Sequence, residues 1–279
     1  MTIVEVYGRD LVIGNFVASE YQCYLASFDS DGSREEETGI GVETTEEFIA
    51  DNPIPVYIGQ KYSDKLHPKA VLTKDSCVTT EEYFSEYDCR AIIRLITGKR
   101  GYQWMKVITD EVGEDLWYRV RVDKISYNKV NGFVVGIILD MECDSQFAWS
   151  IEKNITVNAT ANVPFTIYTN GDELYDYIHP YVTFKSSGNG TLEVTNQNDN
   201  NWKVSLSNVS NGETVIYDSQ HRVIDGSRNS SGTAITKYLD NSNCRFFRLV
   251  NGTNTYVSSL SGTFTFKFRE PRKVAFAII

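Results

Sequence analysis

The side chains of this chain that could act as metal ligands or bases are three histidines and a short acidic segment. His67, His179 and His221 lie far apart in the sequence, each near residues typical of turns. Histidines hold zinc when a fold gathers several of them, and no spacing here predicts that. Asp29-Ser-Asp31-Gly32 resembles the start of a calcium loop, but Ile40 stands at the position of the closing carboxylate. We therefore expect a charged hairpin tip at residues 29–32, no metal site and no cofactor.

Signatures of the common enzyme classes are missing from the sequence. It contains no phosphate-binding loop, no Gly-x-Ser-x-Gly nucleophile elbow and no His-Glu-x-x-His zinc helix. Paired glycosidase carboxylates are set by the fold, so the 37 acidic residues leave that chemistry open. Trp202 could line a sugar-binding face, although a place in the core is the stronger prediction. We predict no catalytic residues and expect a scaffold protein rather than an enzyme.

The cysteines do not predict a disulfide framework or a structural zinc site. Their number is odd, they are scattered, and none forms a Cys-x-x-Cys pair (Cys23, Cys77, Cys89, Cys143 and Cys244). The N-terminus lacks a basic region followed by an apolar stretch, so no secretory signal is expected. The longest uncharged apolar run, residues 133–139, is far shorter than the ~20 residues of a membrane-spanning helix. These features predict free thiols in a reducing cytoplasm and no membrane partner.

Charge and asparagine content divide the chain into two halves. Residues 1–150 hold 26 acidic and 15 basic residues, whereas residues 151–279 hold 11 and 12, so the net charge of −10 arises in the first half. Sixteen of the twenty asparagines lie in the second half. We predict two domains, residues 1–149 and 150–279. The acidic first half argues against a bound nucleic acid, because phosphate binding needs clustered lysines and arginines.

The first half is predicted to contain strands and one helix. Thr79-Thr80-Glu81-Glu82 has the spacing of a capping box at a helix start. Gly98 stands where a left-handed C-terminal cap would fall, with Lys99 and Arg100 beyond it. Between them, apolar residues at spacings of three and four predict one buried stripe: Tyr83, Tyr87, Ala91, Ile92, Leu95 and Ile96.

Two long alternating segments after the helix predict a hairpin. The first places Leu116, Tyr118, Val120 and Val122 on one face, and the second places Phe133, Val135, Ile137, Leu139, Met141 and Cys143 on one face. Arg119, Arg121 and Asp123 fall on the opposite face of the first segment, and Asp140, Glu142 and Asp144 on that of the second. Asn131-Gly132 favours a tight turn between them. We expect one face in the core and a charged face toward solvent or a neighbouring subunit.

The second half is predicted to be an antiparallel β-sandwich without a helix. Short alternating runs recur between turns rich in Asn, Asp, Gly and Ser, starting at Phe165, Tyr181, Thr191, Trp202, Thr214, Arg245 and Gly262. Phe264, Phe266 and Phe268 share one face of the last run. That run is therefore expected to contribute strongly to the core.

Three stretches of the chain together carry a family resemblance. The first is Asn52-Pro-Ile-Pro-Val-Tyr-Ile-Gly-Gln-Lys-Tyr, expected to be a strand entering the body of the N-terminal domain. The second joins the helix, residues 87–98, to the two hairpin strands, residues 115–122 and 133–144. The third is the ending Gly262-Thr-Phe-Thr-Phe-Lys-Phe-Arg-Glu-Pro-Arg-Lys. In this order they resemble the distal tail (Dit) proteins of long-tailed phages that infect Gram-positive bacteria, although that family often has a Trp-Leu pair at the helix end, where this chain has Leu95-Ile96.

The resemblance implies a mostly β protein with a ring-forming, tail-tube-like N-terminal domain that carries one helix and a galectin-like C-terminal sandwich. It further implies a homo-hexamer that joins the major tail (tube) protein to the tail-associated tip protein, with receptor-binding proteins as possible partners. DNA would pass through the ring without specific binding. The protein would be made in the host bacterial cytoplasm and reside in the virion tail tip. Two alternatives stay open: a carbohydrate-binding module that recognises host cell-wall polysaccharide, and a cell-wall hydrolase.

Overall fold

The computed structural model describes residues 3–5, 8–26, 42–49, 54–62, 65–74, 82–108, 115–174, 176–227 and 236–273. The chain divides into two compact units. The first is Met1–Ser150 together with Arg272–Ile279, and the second is Ile151–Pro271. The predicted charged tip at residues 29–32, with Ile40, lies outside the described residues, as does Cys77.

The first unit is built on one large, mainly antiparallel sheet. Its strands and helix are β1 (Ile3–Glu5), β2 (Asp10–Ile13), β3 (Phe16–Val17), β4 (Cys23–Leu25), β5 (Val42–Glu47), β6 (Val56–Tyr62), β7 (His67–Lys74), α1 (Glu86–Thr97), β8 (Gln103–Ile108), β9 (Trp117–Val130), β10 (Phe133–Cys143) and β11 (Ala148–Trp149). The order in the sheet is β1-β7-β10-β9-β8-β2-β3, with β4 beside β7 and β11 beside β9. Only β1 and β7 pair in parallel among the pairs described.

Helix α1 exists as predicted, but both of its ends differ from the prediction. It begins at Glu86 after the N-cap Ser85, whose hydroxyl accepts from the Asp88 amide while the Asp88 carboxylate accepts from the Ser85 amide. Helix α1 therefore does not begin at the predicted capping box Thr79-Thr80-Glu81-Glu82, of which only Glu82 lies within the described residues; its capping box starts six residues later, at Ser85. Gly98 is right-handed, with φ −64°, and the Gln103 side chain caps the end by donating to the Ile96 carbonyl at 2.7 Å.

The predicted stripe of α1 is confirmed at Ile92, Ile96 and the partly buried Leu95, and it is wrong at its N-terminal end. Cys89, Ile92 and Ile96 are buried, whereas Tyr87 is 82% exposed. Tyr83 precedes the helix and is 46% exposed. Helical spacing thus identified the buried residues in the second half of α1, whereas the helix was predicted to start too early and so included Tyr83.

We expect Ser85→Ala to destabilise the first unit by about 1 kcal/mol, because the first-turn amides would lose their side-chain acceptor. Ser85→Thr keeps the hydroxyl and should lose far less. Hydrogen exchange of the α1 amides in both variants measures the difference. Equal protection of the helix in wild type and Ser85→Ala would contradict the assignment of this cap.

The predicted hairpin is confirmed as β9 and β10. Tyr118, Val120, Ile137 and Leu139 are buried in the core of the first unit, and the Asn131-Gly132 turn has φ of +50° and +86°. Two positive φ values in a two-residue turn match the right-handed twist of the strands. The prediction fails at Phe133, which is 54% exposed. A register shift between Val134 and Gly136 turns the start of β10 away from the core.

The predicted strand at residues 52–62 is partly wrong. Its second part forms β6, but β6 does not enter the main sheet. In the described part of the chain it pairs only with β5, in a separate two-stranded sheet. Alternation and apolar content predict a strand but do not say which sheet it joins.

The second unit is a sandwich of two antiparallel sheets, as predicted. Its elements are β12 (Lys153–Ala159), β13 (Pro164–Thr169), β14 (Tyr181–Ser186), β15 (Gly190–Asn196), β16 (Trp202–Val209), β17 (Thr214–Asp218), β18 (Val223–Gly226), α2 (Thr236–Asp240), β19 (Gly252–Ser258) and β20 (Gly262–Phe268), and β21 (Pro271–Arg272) follows at the junction of the units. One sheet has the order β12-β20-β14-β17-β18, and the other β13-β19-β15-β16.

The core of the second unit is aromatic. Phe264 and Phe266 are 0% exposed and Phe268 is 5% exposed, which confirms the predicted role of the last run. Phe264 and Phe266 pack with aromatic rings from other parts of the sandwich, among them Phe165, Phe184, Phe247 and Tyr256. Because aromatic rings bury 150–250 Å² each, this cluster supplies much of the apolar burial of the unit.

Two details of the second unit correct the sequence prediction. The short helix α2 was not expected. The run beginning at Arg245 is not a strand, although Leu249 forms an isolated bridge with Ile178. Side chains take the place of a strand partner along this run: the Trp202 indole donates to the Phe246 carbonyl at 2.9 Å, and the Tyr256 hydroxyl to the Arg248 carbonyl at 2.8 Å.

Candidate functional site: assembly surfaces

The three histidines do not share an environment. His67 lies in β7 of the first unit, whereas His179 and His221 belong to the second. Burial lowers the pKa of His179, with a smaller contribution from Arg222. His221 is exposed, and its Nδ1 lies 2.8 Å from Oδ2 of Asp218. Among the described residues, no group of three or more metal-ligating side chains is close enough to hold an ion.

Three cysteines are built into the core of the first unit. Cys23, Cys89 and Cys143 are buried and free, whereas Cys244 of the second unit is exposed. Burial raises the pKa of Cys23 to about 12, and it also raises the pKa of Cys89 and of Cys143. Since the thiolate is the reactive form, these three thiols behave as small apolar side chains.

Trp202 occupies a structural position rather than an open platform. Its indole N–H is bound to the Phe246 carbonyl, and its ring packs against the core of the second unit. The guanidinium carbons of Arg248 and Arg245 lie 3.6 and 4.6 Å from the ring centroid. Sugar stacking needs a free aromatic face, and these two cations already lie against the ring of Trp202.

The charged face of the β9–β10 hairpin is neutralised within the unit. Glu142 accepts from Lys65 at 2.7 Å, from Tyr102 at 3.0 Å and from Arg121 at 3.0 Å. Arg121 also lies 2.9 Å from Asp123. The side chains of Arg119 on β9 and of Asp144, directly after β10, lie 3.4 Å apart. Much of the predicted negative charge on this face is thus balanced by neighbouring cations.

The Glu142 network predicts a pH-dependent stability. The pKa of the Glu142 carboxyl lies below its ordinary value of 4.5, chiefly because Lys65 donates a hydrogen bond to it. The unfolded chain therefore binds more protons in this range, so the stabilisation is present above pH 4.5 and is lost as pH falls through the lower folded value. We expect the stability difference between wild type and Glu142→Gln to shrink from pH 6 to pH 3, as followed by thermal melting.

Lys65→Gln removes the main hydrogen-bond donor to Glu142. We therefore expect the stability difference between wild type and Lys65→Gln to shrink over the same pH range. A difference between wild type and Glu142→Gln that stays constant over the same pH range would contradict the effect.

The two-stranded sheet of the first unit, with the residues that flank it, exposes six large apolar side chains. We call residues 42–49 and 54–62 the arm. Its large exposed side chains are Phe48 (76%), Ile49 (55%), Ile54 (71%), Val56 (42%), Tyr57 (57%) and Ile58 (59%). An isolated two-stranded hairpin is marginally stable in water, and exposed apolar patches mark interaction sites. The arm therefore has the chemistry of a segment that another protein surface covers.

A second exposed apolar surface lies at the turn of the β9–β10 hairpin. We call Tyr83, Val130 and Phe133 the tip patch. The rings of Tyr83 and Phe133 lie 4.8 Å apart, and Phe133 is directly opposite Val130 in the hairpin. Tyr83 is held there because the neighbouring Phe84 amide donates to the Val134 carbonyl at 2.7 Å. Val130 and Phe133 are 55% and 54% exposed.

Neither surface was singled out from the sequence. The available signal for the arm was a run of apolar residues interrupted by Pro53 and Pro55, since proline disfavours a central strand. For the tip patch the signal was the apolar Phe133 directly after the turn Asn131-Gly132, where a hairpin normally exposes its side chains. A strand of the core would show the same two features. Residues 52–62 were accordingly predicted to enter the body of the N-terminal domain, and Phe133 to lie on the core face of its strand.

Within the described residues, no helix is long and apolar enough to cross a membrane.

Comparison with known proteins identifies both halves of the chain. Residues 7–145 match a family model described as the phage tail protein N-terminal domain, and residues 147–268 match one described as the phage tail C-terminal domain. A search of curated proteins gave no significant match.

Two solved phage structures have a similar fold. The Dit protein (gp 19.1) of phage SPP1 is 13% identical, with a TM-score of 0.61 over 93% of this chain and 98% of that chain. It is described as a paradigm of the hub adsorption apparatus in phages that infect Gram-positive bacteria. A chain of the phage P2 baseplate, in its activated conformation with calcium, is 10% identical, with a TM-score of 0.50 over 94% and 98% of the two chains. This chain therefore belongs to the phage tail proteins built from these two domains, and its fold is that of a Dit-type hub protein.

Proposed function

We propose that the chain is the structural hub of the tail tip and has no enzymatic role. Six copies form a ring that connects the tail tube to the tip protein and to receptor-binding components, leaving a channel for DNA. The observation that carries the ring is the arm, because a hairpin with six large exposed apolar side chains needs a covering surface. The match of both halves to phage tail domains gives the setting.

The two units suggest a division of labour. We assign ring formation to residues 1–149, which carry the arm and the tip patch, and a peripheral docking role to the sandwich at residues 150–279. The excess of acidic residues also lies in the first half. A ring built from it presents negative potential, so DNA passes without adhering. The protein is made in the host bacterial cytoplasm and functions in the virion.

A sugar-binding role for the sandwich receives less support. The side chain best suited to stack on a sugar, Trp202, lies against Arg245 and Arg248. Binding of purified cell-wall polysaccharide to the isolated protein at micromolar affinity would revive that role. Turnover of peptidoglycan would instead support a hydrolase.

The ring is tested by the mass of the full chain in solution and by images of purified tail tips. We expect a mass of six chains, or of two stacked rings, and sixfold density at the junction of tube and tip. Tail tips in which the chain is absent from that junction would overturn the proposed function.

A further inference from the structure

We propose that the arm of one copy docks on the tip patch and on the adjacent free edge of β9 of the next copy. This inference rests on the proposed ring and names the two surfaces that close it.

The first step is the unpaired edge of β9. Strand β8 pairs with β9 from Trp117 to Val120, and this pairing ends where Gln103 meets Val120. Strand β9 continues to Val130, paired on its other side with β10. In the part of the chain that the structure describes, residues 121–130 therefore present one open row of amides and carbonyls. Such an edge is a template for a strand from another chain.

The second step is that the tip patch starts at this edge. Val130 ends the open strand, and Phe133 lies opposite it on β10. Tyr83 packs on Phe133 from the far side of β10, because Phe84 pairs with Val134 on the edge of β10 that faces β7. An occupant that pairs with residues 121–130 therefore contacts Val130 directly and reaches Phe133 and Tyr83 by extending across the hairpin at its turn.

The third step is charge. The described part of the arm holds three acids, Glu43, Glu46 and Glu47, and one base, Lys61, so its net charge is −3 + 1 = −2. Residues 124–133 hold Lys124 and Lys129 and no acid, which gives +2. Charges of opposite sign across an interface favour the encounter and fix its register.

The same charges disfavour a twofold pair that places arm on arm, since −2 would then face −2. A reciprocal twofold pair, with each arm on the tip patch of the other copy, has the same charge match as a ring, and the assembled mass distinguishes the two: two chains for the pair and six for the ring. A cyclic ring needs two different complementary surfaces on each copy. The arm and the tip patch are two such surfaces, and both lie in the first unit.

The test reverses the charges of each surface in the full chain. Lys124→Glu with Lys129→Glu alters the tip, and Glu46→Lys with Glu47→Lys alters the arm. We expect each double substitution to raise the protein concentration at half-assembly at least about tenfold. The chain with all four substitutions should return to within about threefold of the wild-type concentration. Lys185→Glu with Lys267→Glu, on the second unit, is the matched control and should leave assembly unchanged. Light scattering across a dilution series measures the midpoint.

The outcomes separate this inference from the proposed function. Suppose the two arm substitutions prevent assembly but the two tip substitutions do not. The arm then docks elsewhere, so this inference fails while the proposed hub function stands. Failure of the four changes to rescue assembly also overturns it. A wild type that stays monomeric at about 100 µM overturns it as well, since these surfaces would not hold copies together. The proposed function falls only if the chain is missing from the tube–tip junction of imaged tails.

Discussion

Replacing Arg248 by alanine is expected to lower the free energy of unfolding of the second unit by about 3–5 kcal/mol. Arg248 Nε and Nη2 donate to the two carboxylate oxygens of Asp199 at 2.6 and 2.9 Å. The Asp199 side chain is 1% exposed. The variant therefore leaves a buried carboxylate without its paired cation, and a buried charge without a partner is among the most destabilising changes a point mutation makes.

Hydrogen exchange of the β16 and β20 amides in the full chain measures this loss, because it reports opening of the second unit alone. Arg245→Ala is the matched control. Arg245 also lies over the Trp202 ring, at 4.6 Å, but its side chain is exposed. Its loss should cost under about 1 kcal/mol. Equal effects of the two variants would show that stacking on Trp202, and not the ion pair, holds this corner.

Sequence reasoning succeeded where one face of a strand is buried. The alternation in β20, and in β9 and β10 away from their connecting turn, sorted core residues from outer ones, because a strand that covers a core must repeat with a period of two. The family and the fold expected from the resemblance to distal tail proteins are likewise confirmed.

The errors arose where one pattern fits two arrangements. The apolar residues of β6 suit a core strand and equally an arm that a partner covers, and only the pairing with β5 distinguishes them. Thr79 and Ser85 both begin sequences that could cap a helix, and α1 begins after the second. In the same way, alternation placed Phe133 in the core, and the register shift after Val134 reversed it.

The candidate assembly surfaces were beyond reach for a related reason. An exposed apolar residue differs from a buried one only by what surrounds it, and those neighbours come from distant parts of the chain. Tyr83 and Phe133 are fifty residues apart in sequence, yet their rings lie 4.8 Å apart. The absence of catalytic motifs in the sequence suggested a scaffold protein, whereas its contact surfaces could be identified only from the folded structure.

The second large effect is expected from Phe264→Ala, which should destabilise the second unit by about 3–5 kcal/mol. Phe264 is 0% exposed, and its strand β20 lies between β12 and β14. Its ring lies 4.4 Å from that of Phe184 and 5.4 Å from that of Phe165. Truncation to alanine opens a cavity between the sheets, since the surrounding rings cannot all collapse into it.

The same variant also probes the proposed division of labour between the units. Exchange of the β20 amides gives the loss of stability, and Tyr168→Ala, at a 62% exposed position of the same unit, should leave it within about 0.5 kcal/mol of wild type. Because ring formation is assigned to residues 1–149, Phe264→Ala should still assemble below the melting temperature of its sandwich. Loss of the ring at a temperature where exchange shows an intact sandwich would mean that the second unit takes part in closing it.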